Sequence, residues 1–289
     1  MKSVGYYPGC SLSGTAAEYD HSLRAAFGKM GIELQEVPDW VCCGASSAHA
    51  VDHQAAFVLA ADTLIKARRG GIERVLAPCA MCYQRLATAA HEMAADLQLA
   101  RRTAEALGES PDLHPEKVRP LSLLDVLAEW SDEDLKTAAV KPLKGLKVAC
   151  YYGCLLLRPP KVTGAADAEA PRTMERIVGA IGAQPVRWSM ATECCGASFA
   201  ISRKSVVLRQ CRRIYQAARS AGADLICLAC PMCHSNLDLR QAEFARGEEP
   251  LPVLYLTQLL GLALGLSGEA LGLAGHFVPV APALAKVSA

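Results

Sequence analysis

The pentapeptide Cys-Cys-Gly-Ala-Ser occupies residues 42–46 and returns unchanged at residues 194–198. Two further segments recur around it: Tyr-Tyr-Pro-Gly-Cys at 6–10 with Tyr-Tyr-Gly-Cys at 151–154, and Cys-x-Met-Cys at 79–82 with 230–233. All three pairs keep the same order and are separated by about 150 residues. An internal repeat of this kind indicates a gene duplication, and it predicts two similar halves related by a pseudo-twofold axis.

The segments between the cysteines alternate between short apolar runs and longer helical patterns. The predicted strands cover residues 4–7, 32–37 and 73–77 in the first half and 146–152, 184–188 and 224–228 in the second. The predicted helices cover residues 15–30 and 47–69, then 171–181 and 199–220, and a fourth strand or helix start at 121–127 matches one at 254–260. Strands that alternate with helices predict an α/β fold in which each half is a small parallel sheet flanked by helices.

Composition and charge limit the class of protein. We predict an N-terminal domain over residues 1–135, a C-terminal domain over 145–268, and an extended C-terminal tail over 269–289. The net charge of +1 argues against nucleic-acid binding, which needs a basic surface. The most apolar stretch, residues 251–266, is shorter than the ~18 residues of a membrane span, and the N-terminus has no secretory leader pattern. We therefore expect a cytoplasmic protein without a membrane span.

The chain contains 13 cysteines, and ten of them fall into two matched sets. The first set is Cys10, Cys42, Cys43, Cys79 and Cys82, and the second is Cys154, Cys194, Cys195, Cys230 and Cys233. Each cysteine group follows a predicted strand, and the carboxyl ends of parallel strands meet at one edge of a sheet. In a reducing compartment, clustered cysteines indicate metal or redox chemistry more often than disulfides. We therefore expect each set to converge on a metal site.

The number of thiols in each set does not by itself identify the metal. A structural zinc and a cubane [4Fe–4S] cluster each take four ligands, so five thiols leave one over. The fifth is then a bystander or catalytic thiol, or it bridges irons in an unusual cluster. Soft thiolate sites suit iron–sulfur and zinc, and the vicinal pairs fit zinc poorly. A metal-free dithiol enzyme remains an alternative, although it leaves Cys10, Cys42, Cys43 and their counterparts unexplained.

A few other residues are candidates for chemistry. His49 and His234 lie beside the cysteine motifs and could relay protons, with surface or capping roles as the alternative. Arg158 could bind an anionic group of a substrate, or it could form a structural ion pair. The remaining cysteines, which lie outside the repeat and are expected to be small buried hydrophobes, are Cys150, Cys211 and Cys227.

The spacing Cys-x31-Cys-Cys-Gly-x34-Cys-x2-Cys of the first half is the signature of the cysteine-rich CCG domain. Two copies of it without a ferredoxin domain resemble the B subunit of heterodisulfide reductase, and the similarity covers nearly the whole chain. The segments that carry the resemblance are residues 7–15, 18–20 and 39–45, then 152–155, 158–160, 192–197 and 230–233.

This resemblance implies a cofactor and a reaction. In the family each CCG motif holds a noncubane [4Fe–4S] cluster through five cysteines, so the two sets of cysteines named above are each expected to ligate one cluster. A disulfide substrate is split between the two clusters. Some relatives hold zinc in one CCG domain, and zinc therefore stays possible at one site.

The resemblance also implies partners. The chain has no ferredoxin-type cysteine run and no Gly-x-Gly-x-x-Gly fingerprint, so electrons are expected to pass through a separate ferredoxin-like C subunit, which exchanges them in turn with a flavin-containing A subunit. The substrate is a small thiol or disulfide, or a lipoate-type sulfur carrier protein as in bacterial sulfur oxidation. The alternative is an electron-transfer or zinc-stabilised scaffold subunit of a sulfur-oxidising complex, without chemistry of its own.

Overall fold

The computed structural model describes residues 2–45 and 47–287, so Ser46 of the repeated pentapeptide lies outside the described residues, as do Met1, Ser288 and Ala289. Each half contains one four-stranded sheet, and every strand pairing in it is parallel. The strands are β1 (Lys2–Tyr6), β2 (Ile32–Glu36), β3 (Arg74–Leu76), β4 (Arg119–Leu121), β5 (Lys147–Tyr151), β6 (Gln184–Pro185), β7 (Leu225–Leu228) and β8 (Val253–Tyr255).

Helices flank both sheets. In the first half they are α1 (Gly9–Leu12), α2 (Ala17–Lys29), α3 (Ser47–Val51), α4 (His53–Arg69), α5 (Ala80–Ala95), α6 (Leu97–Ala106), α7 (Leu123–Ala128) and α8 (Asp132–Ala138). In the second half they are α9 (Pro160–Thr163), α10 (Thr173–Ala180), α11 (Lys204–Ser220), α12 (Pro231–Leu237), α13 (Gln241–Phe244), α14 (Leu256–Ala263) and α15 (Ala281–Leu284). The predicted fold class, two α/β halves that each contain a parallel sheet, is confirmed.

The strand order is the same in the two sheets. The first runs β2-β1-β3-β4 and the second β6-β5-β7-β8. In this order the first strand is central, the second lies at one edge, and the third and fourth lie toward the other edge. The helices that follow the two central strands therefore lie on opposite faces of the sheet. The carboxyl ends of the central strands then border an open crevice, which is where sites form in such sheets.

The structure differs from the sequence prediction at three elements. The helix predicted over 47–69 is two helices, because the carboxylate of Asp52 accepts the backbone N–H groups of Gln54 and Ala55 and starts α4 anew. The helix predicted from residue 199 begins at Lys204, after a 3-10 turn over Ala197–Phe199. The strand predicted over 184–188 covers only two residues and lies at the sheet edge, a position where Pro185 is tolerated because the bonds to β5 come from its neighbours Gln184 and Val186.

The two halves contact each other through equivalent helices in a crosswise arrangement. Helix α2 of the first half packs on α14 of the second, and α10 of the second packs on α7 of the first. The contacts include a hydrogen bond of 2.7 Å between the hydroxyls of Ser22 and Thr257, and one of 2.7 Å from Arg176 to Asp132. This exchange of equivalent partners is the geometry that a pseudo-twofold axis produces.

The segment that follows α14 packs on the C-terminal half. The carboxylate of Asp238 accepts the backbone N–H groups of Phe277 at 2.7 Å and Val278 at 3.1 Å. The tail predicted to be extended contains a 3-10 turn over Leu273–Gly275 and the short helix α15. The domain boundaries at 1–135, 145–268 and 269–289 remain predictions. In the described part of the chain no helix is both long enough and apolar enough to cross a membrane.

Candidate metal centre

The strands deliver every repeated cysteine to the same edge of its sheet. Cys10 lies in α1 directly after β1, the vicinal pair at 42–43 lies in the loop after β2, and Cys79 is the N-cap residue of α5 after β3. The second half repeats this arrangement, with Cys230 as the N-cap residue of α12. Each Cys-x-Met-Cys motif therefore opens a helix, where unpaired N–H groups and the helix dipole favour thiolate over thiol.

In each half, the second cysteine of the vicinal pair lies close to the second cysteine of the Cys-x-Met-Cys motif. The Sγ atoms of Cys43 and Cys82 are 3.4 Å apart, and those of Cys195 and Cys233 are 3.5 Å apart. The backbone N–H that follows each vicinal pair donates to the first thiol of the pair: Gly44 to Cys42 at 3.5 Å and Gly196 to Cys194 at 3.3 Å. All 13 cysteines are free thiols.

Both sets are buried at one end and open at the other. The three innermost thiols of each set are buried, namely Cys43, Cys79 and Cys82 in the first and Cys195, Cys230 and Cys233 in the second. The outer thiols reach solvent: Cys10, Cys42 and Cys194 are exposed, and Cys154 is half-buried. Each set therefore has a water-excluding base and an accessible rim.

Each set contains at least one thiol whose pKa is lowered. A hydrogen bond from Cys82 lowers the pKa of the Cys43 thiol to about 7. A hydrogen bond from Cys154 lowers the pKa of Cys194 to about 6. A cysteine binds metal as its thiolate, so each set contains a thiol with a substantial thiolate fraction near neutral pH.

The two sets meet at the interface between the halves. The pKa of Cys79 lies well below its usual range, first because Cys230 of the other half donates a hydrogen bond to its sulfur. A cavity of about 70 Å³ lies beside this contact. Ala80 and Met81 of the first half line it together with Cys154, Cys194, Cys195, Cys230 and Cys233 of the second.

Two glycines leave space at the sulfurs for a bulky group. Gly9 has a φ of +61°, and a Cβ there would lie 3.0 Å from the Sγ of Cys82. Gly153 has a φ of +65°, and its Cβ would lie 3.3 Å from the Sγ of Cys233. A set made only of thiolate donors suits iron–sulfur clusters or zinc. The donor set and the space beside it fit a metal centre in each half.

The other candidates from the sequence lie outside this sulfur core. Arg158 donates to the backbone oxygen of Thr192 at 2.8 Å and forms an ion pair with Glu169 at 2.9 Å. The ring of His234 is buried and stacks on Tyr255, with its Nε2 3.2 Å from the Val253 carbonyl and 3.0 Å from His276. The Nδ1 of His49 is buried and has no hydrogen-bond partner among the described residues.

Sequence reasoning missed four residues at this site. Tyr7 and Tyr151 donate hydrogen bonds of 2.7 Å to the carbonyls of Val41 and Glu193, the residues before the two vicinal pairs. Asn236 donates to the Sγ of Cys195 at 3.4 Å, and Arg85 occupies the matching position in the first half. For Asn236 and Arg85 the sequence did contain a signal. Each lies three residues after the second cysteine of its Cys-x-Met-Cys motif, and so on the same helix face as that cysteine.

Comparison with known proteins agrees with this architecture. A family model for the cysteine-rich domain, CCG, matches residues 4–87 and 148–238. A hypothetical protein from Helicobacter pylori with a crystal structure has the same fold, with a TM-score of 0.70 over 96% of this chain at 12% identity, and this chain spans 52% of its length.

Two relatives are similar over almost their full lengths. The chain is 36% identical to the 8-methylmenaquinol:fumarate reductase membrane anchor subunit of Wolinella succinogenes, over 94% of this chain and 96% of that protein. It is 29% identical to the B subunit of the Ferredoxin/F(420)H(2)-dependent CoB-CoM heterodisulfide reductase of Methanosarcina acetivorans, over 99% of this chain and 97% of that protein. The chain therefore belongs to the family of tandem cysteine-rich CCG-domain proteins that includes the B subunit of heterodisulfide reductase.

Proposed function

We propose that this protein is the catalytic iron–sulfur subunit of a heterodisulfide reductase-like complex. In this proposal the ten repeated cysteines hold two noncubane [4Fe–4S] clusters, five cysteines to each. The subunit cleaves or forms a bond between two sulfur atoms. The observation that carries the proposal is the cavity between the halves, where Ala80 and Met81, which follow Cys79 of the first set, lie against the thiols of the second set.

The proposed reaction balances with an external electron carrier. A disulfide takes up two electrons and two protons and gives two thiols, and the reverse reaction returns them. A bound iron–sulfur cluster supplies one-electron transfer and iron atoms with affinity for thiolate. The electrons come from a separate ferredoxin-like subunit, which is supplied in turn by a flavin-containing subunit. The substrate is a small disulfide or thiol, or a lipoate-type sulfur carrier.

The protein's own residues hold and shield the site. The buried thiols at the base of each set exclude water, and hydrogen bonds from Gly44 and Gly196 fix the outer thiols of the vicinal pairs. Met81 projects from the first half into the wall of the shared cavity, beside the thiols of the second. Access for a substrate is through the exposed rim at Cys10, Cys42 and Cys194.

A second candidate function follows from the relative with 36% identity. It is named as a subunit of a quinol:fumarate reductase, whose named reactants contain no sulfur. The second candidate is therefore an electron-transfer subunit without chemistry of its own.

Metal analysis after anaerobic purification tests the cofactor. Two clusters require about eight irons and about eight sulfides per chain. One or two zincs in a colourless protein would contradict the proposed chemistry, and about four irons with one zinc would contradict the two-cluster form.

A spectroscopic titration then separates chemistry from electron passage. A disulfide or thiol should change the electron paramagnetic resonance signal of the protein with both clusters, and Cys42→Ser or Cys194→Ser should abolish the change. Cys150→Ala, which alters a buried thiol outside the two sets, is the control and should retain it. Clusters that can be reduced but do not respond to any thiol or disulfide would favour the electron-transfer role.

A further inference from the structure

The two halves place different side chains at one equivalent position beside their sulfur atoms. Arg85 lies three residues after Cys82 on α5, and Asn236 lies three residues after Cys233 on α12. Residues three apart on a helix share one face. Both side chains therefore project from the face that carries the last thiol of the set.

In the second half the contact is a neutral hydrogen bond. The side-chain amide of Asn236 donates to the Sγ of Cys195 at 3.4 Å, and both residues are buried. This bond adds no net charge to the site.

In the first half the equivalent side chain is a cation. The Nε of Arg85 is buried and has no acceptor among the described residues. A buried donor without an acceptor costs about 1–3 kcal/mol, so its presence calls for an explanation. The neighbouring thiols and an anionic sulfur cluster are acceptors of the right kind. Arg85 is close enough to Cys43 for its charge to act on that sulfur, after the larger effect of the hydrogen bond with Cys82.

A second difference between the halves also makes the surroundings of the second thiol set more negative than those of the first. Glu193, an acidic residue, directly precedes the vicinal pair of the second half. Its counterpart before the first pair is the neutral Val41. Arg158, the cation that follows Cys154, is already paired with Glu169 at 2.9 Å.

We propose that Arg85 makes the two metal centres unequal, so that the N-terminal centre has the higher reduction potential and takes the first electron. Reduction adds negative charge to a cluster, and a nearby cation stabilises the reduced form. Charge and hydrogen bonds at the sulfurs are among the factors that set the potential of such clusters. Arg85 therefore acts through the metal centre, by raising its reduction potential. The inference rests on the proposed function, since it requires a cluster in each half.

The test is an anaerobic redox titration of the cluster-loaded protein, followed by electron paramagnetic resonance. The wild-type protein should show two midpoint potentials. Arg85→Asn should shift the higher one to more negative values and leave the lower one in place. Arg85→Lys keeps the charge and should restore most of the gap. Arg101→Gln, an exposed arginine on α6, is the control and should change neither.

The reciprocal variants keep the test decisive if Arg85→Asn binds less iron. Asn236→Arg and Glu193→Gln should both raise the lower midpoint and narrow the gap. Unchanged midpoints in Arg85→Asn at full iron content would overturn the inference. Weaker binding of a disulfide to that variant without a shift in potential would also overturn it, because Arg85 would then contact substrate instead. A wild-type protein without iron would refute the proposed function itself, a result distinct from both.

Discussion

Tyr7 and Tyr151 show how one buried side chain orients a cysteine pair. Each phenol donates a hydrogen bond of 2.7 Å to the carbonyl before a vicinal pair, and each ring is almost completely buried. They are equivalent by structure, although the sequence match paired Tyr6 with Tyr151. The structural pairing keeps Tyr7, Gly9 and Cys10 at one constant offset from Tyr151, Gly153 and Cys154, so no residue is deleted between them.

We predict that Tyr7→Phe destabilises the protein and speeds the loss of metal from the N-terminal site. The ring still fills its space, but the Val41 carbonyl loses its partner, which costs about 1–3 kcal/mol. Urea unfolding measures the first effect, and the rate of iron release to a chelator measures the second. Tyr215→Phe removes a similar hydrogen bond at another place, to the Glu249 carbonyl at 2.6 Å. It should lower stability without changing iron release. Equal release rates in the two variants would contradict the orienting role of Tyr7.

Gly9 permits a second prediction at the same scale. Gly9→Ala places a methyl group 3.0 Å from the Sγ of Cys82 on a backbone with φ of +61°. We expect it to lose metal from the N-terminal site and to cost ~1–2 kcal/mol of backbone strain. Gly31→Ala is a matched control, since φ is +71° there and nothing lies within 4 Å of the new methyl group. Gly31→Ala should lower the free energy of unfolding in urea by the same backbone strain, and its metal content should be normal. Normal metal content in Gly9→Ala would show that the space beside Cys82 is not needed.

At the level of elements, the sequence was informative about strands and helices but less so about their ends. Alternating apolar runs and helical patterns predicted the central strands β1, β3, β5 and β7, because these are buried on both faces. The break before α4 was missed, since the Asp52 cap lies inside a pattern that is helical on both sides. The position of Asn236 on the helix face of Cys233 could be predicted, but its contact with Cys195 could not, because that contact depends on how the loop after β6 lies over α12.

The tail is held to the C-terminal half by buried polar groups whose titration is predictable. Burial lowers the pKa of His276 to about 4, below the value of about 6.5 for a free histidine. The unfolded chain therefore takes up this proton at higher pH than the folded protein, and stability is lost as pH falls from 6.5 towards 4. Burial raises the pKa of Asp238 to about 6, and this shift has the opposite effect on how stability depends on pH. Its contribution is complete below pH ~3.8 and is lost as pH rises through 6. The two effects therefore oppose each other between pH 4 and 6, and the buried His234, whose pKa is lowered to about 3, acts in the same direction as His276.

We predict that His276→Gln reveals the contribution of Asp238. Without the histidine, the free energy of unfolding should rise as pH falls from 6.5 to 4.5, relative to wild type, by about 1–3 kcal/mol. Urea unfolding of the metal-free protein at a series of pH values measures this difference. His91→Gln, which replaces an exposed histidine on α5, is the control for the loss of an imidazole. Parallel profiles for His276→Gln and wild type would contradict the assignment.

At the scale of the whole molecule, the duplication explains why the two thiol sets face each other. Helices α2 and α10 each pack on the helix that follows the fourth strand of the other half, α14 and α7 respectively. Tyr255, at the end of β8, stacks on Tyr19 of the first half with ring centroids 4.1 Å apart, and His234 stacks on its other face at 4.4 Å. The Tyr19 hydroxyl in turn donates to the Pro78 carbonyl, beside Cys79. The stack of Tyr19, Tyr255 and His234 thus connects the two Cys-x-Met-Cys motifs through the centre of the molecule.

We predict that Tyr255→Leu weakens both metal centres at once. The substitution removes a fully buried ring from between the halves, which should lower the free energy of unfolding by about 3 kcal/mol. Because the ring supports Tyr19 on one face and His234 on the other, the segments that carry Cys79 and Cys233 both lose a fixed neighbour. Iron release to a chelator should therefore speed up in both halves, seen as faster loss of both redox midpoints. Tyr215→Leu removes a buried ring that packs on Phe244 within the second half, and it should lower stability while keeping both centres. Loss of only one midpoint in Tyr255→Leu would mean that the halves hold their metals independently, and that the stack is packing alone.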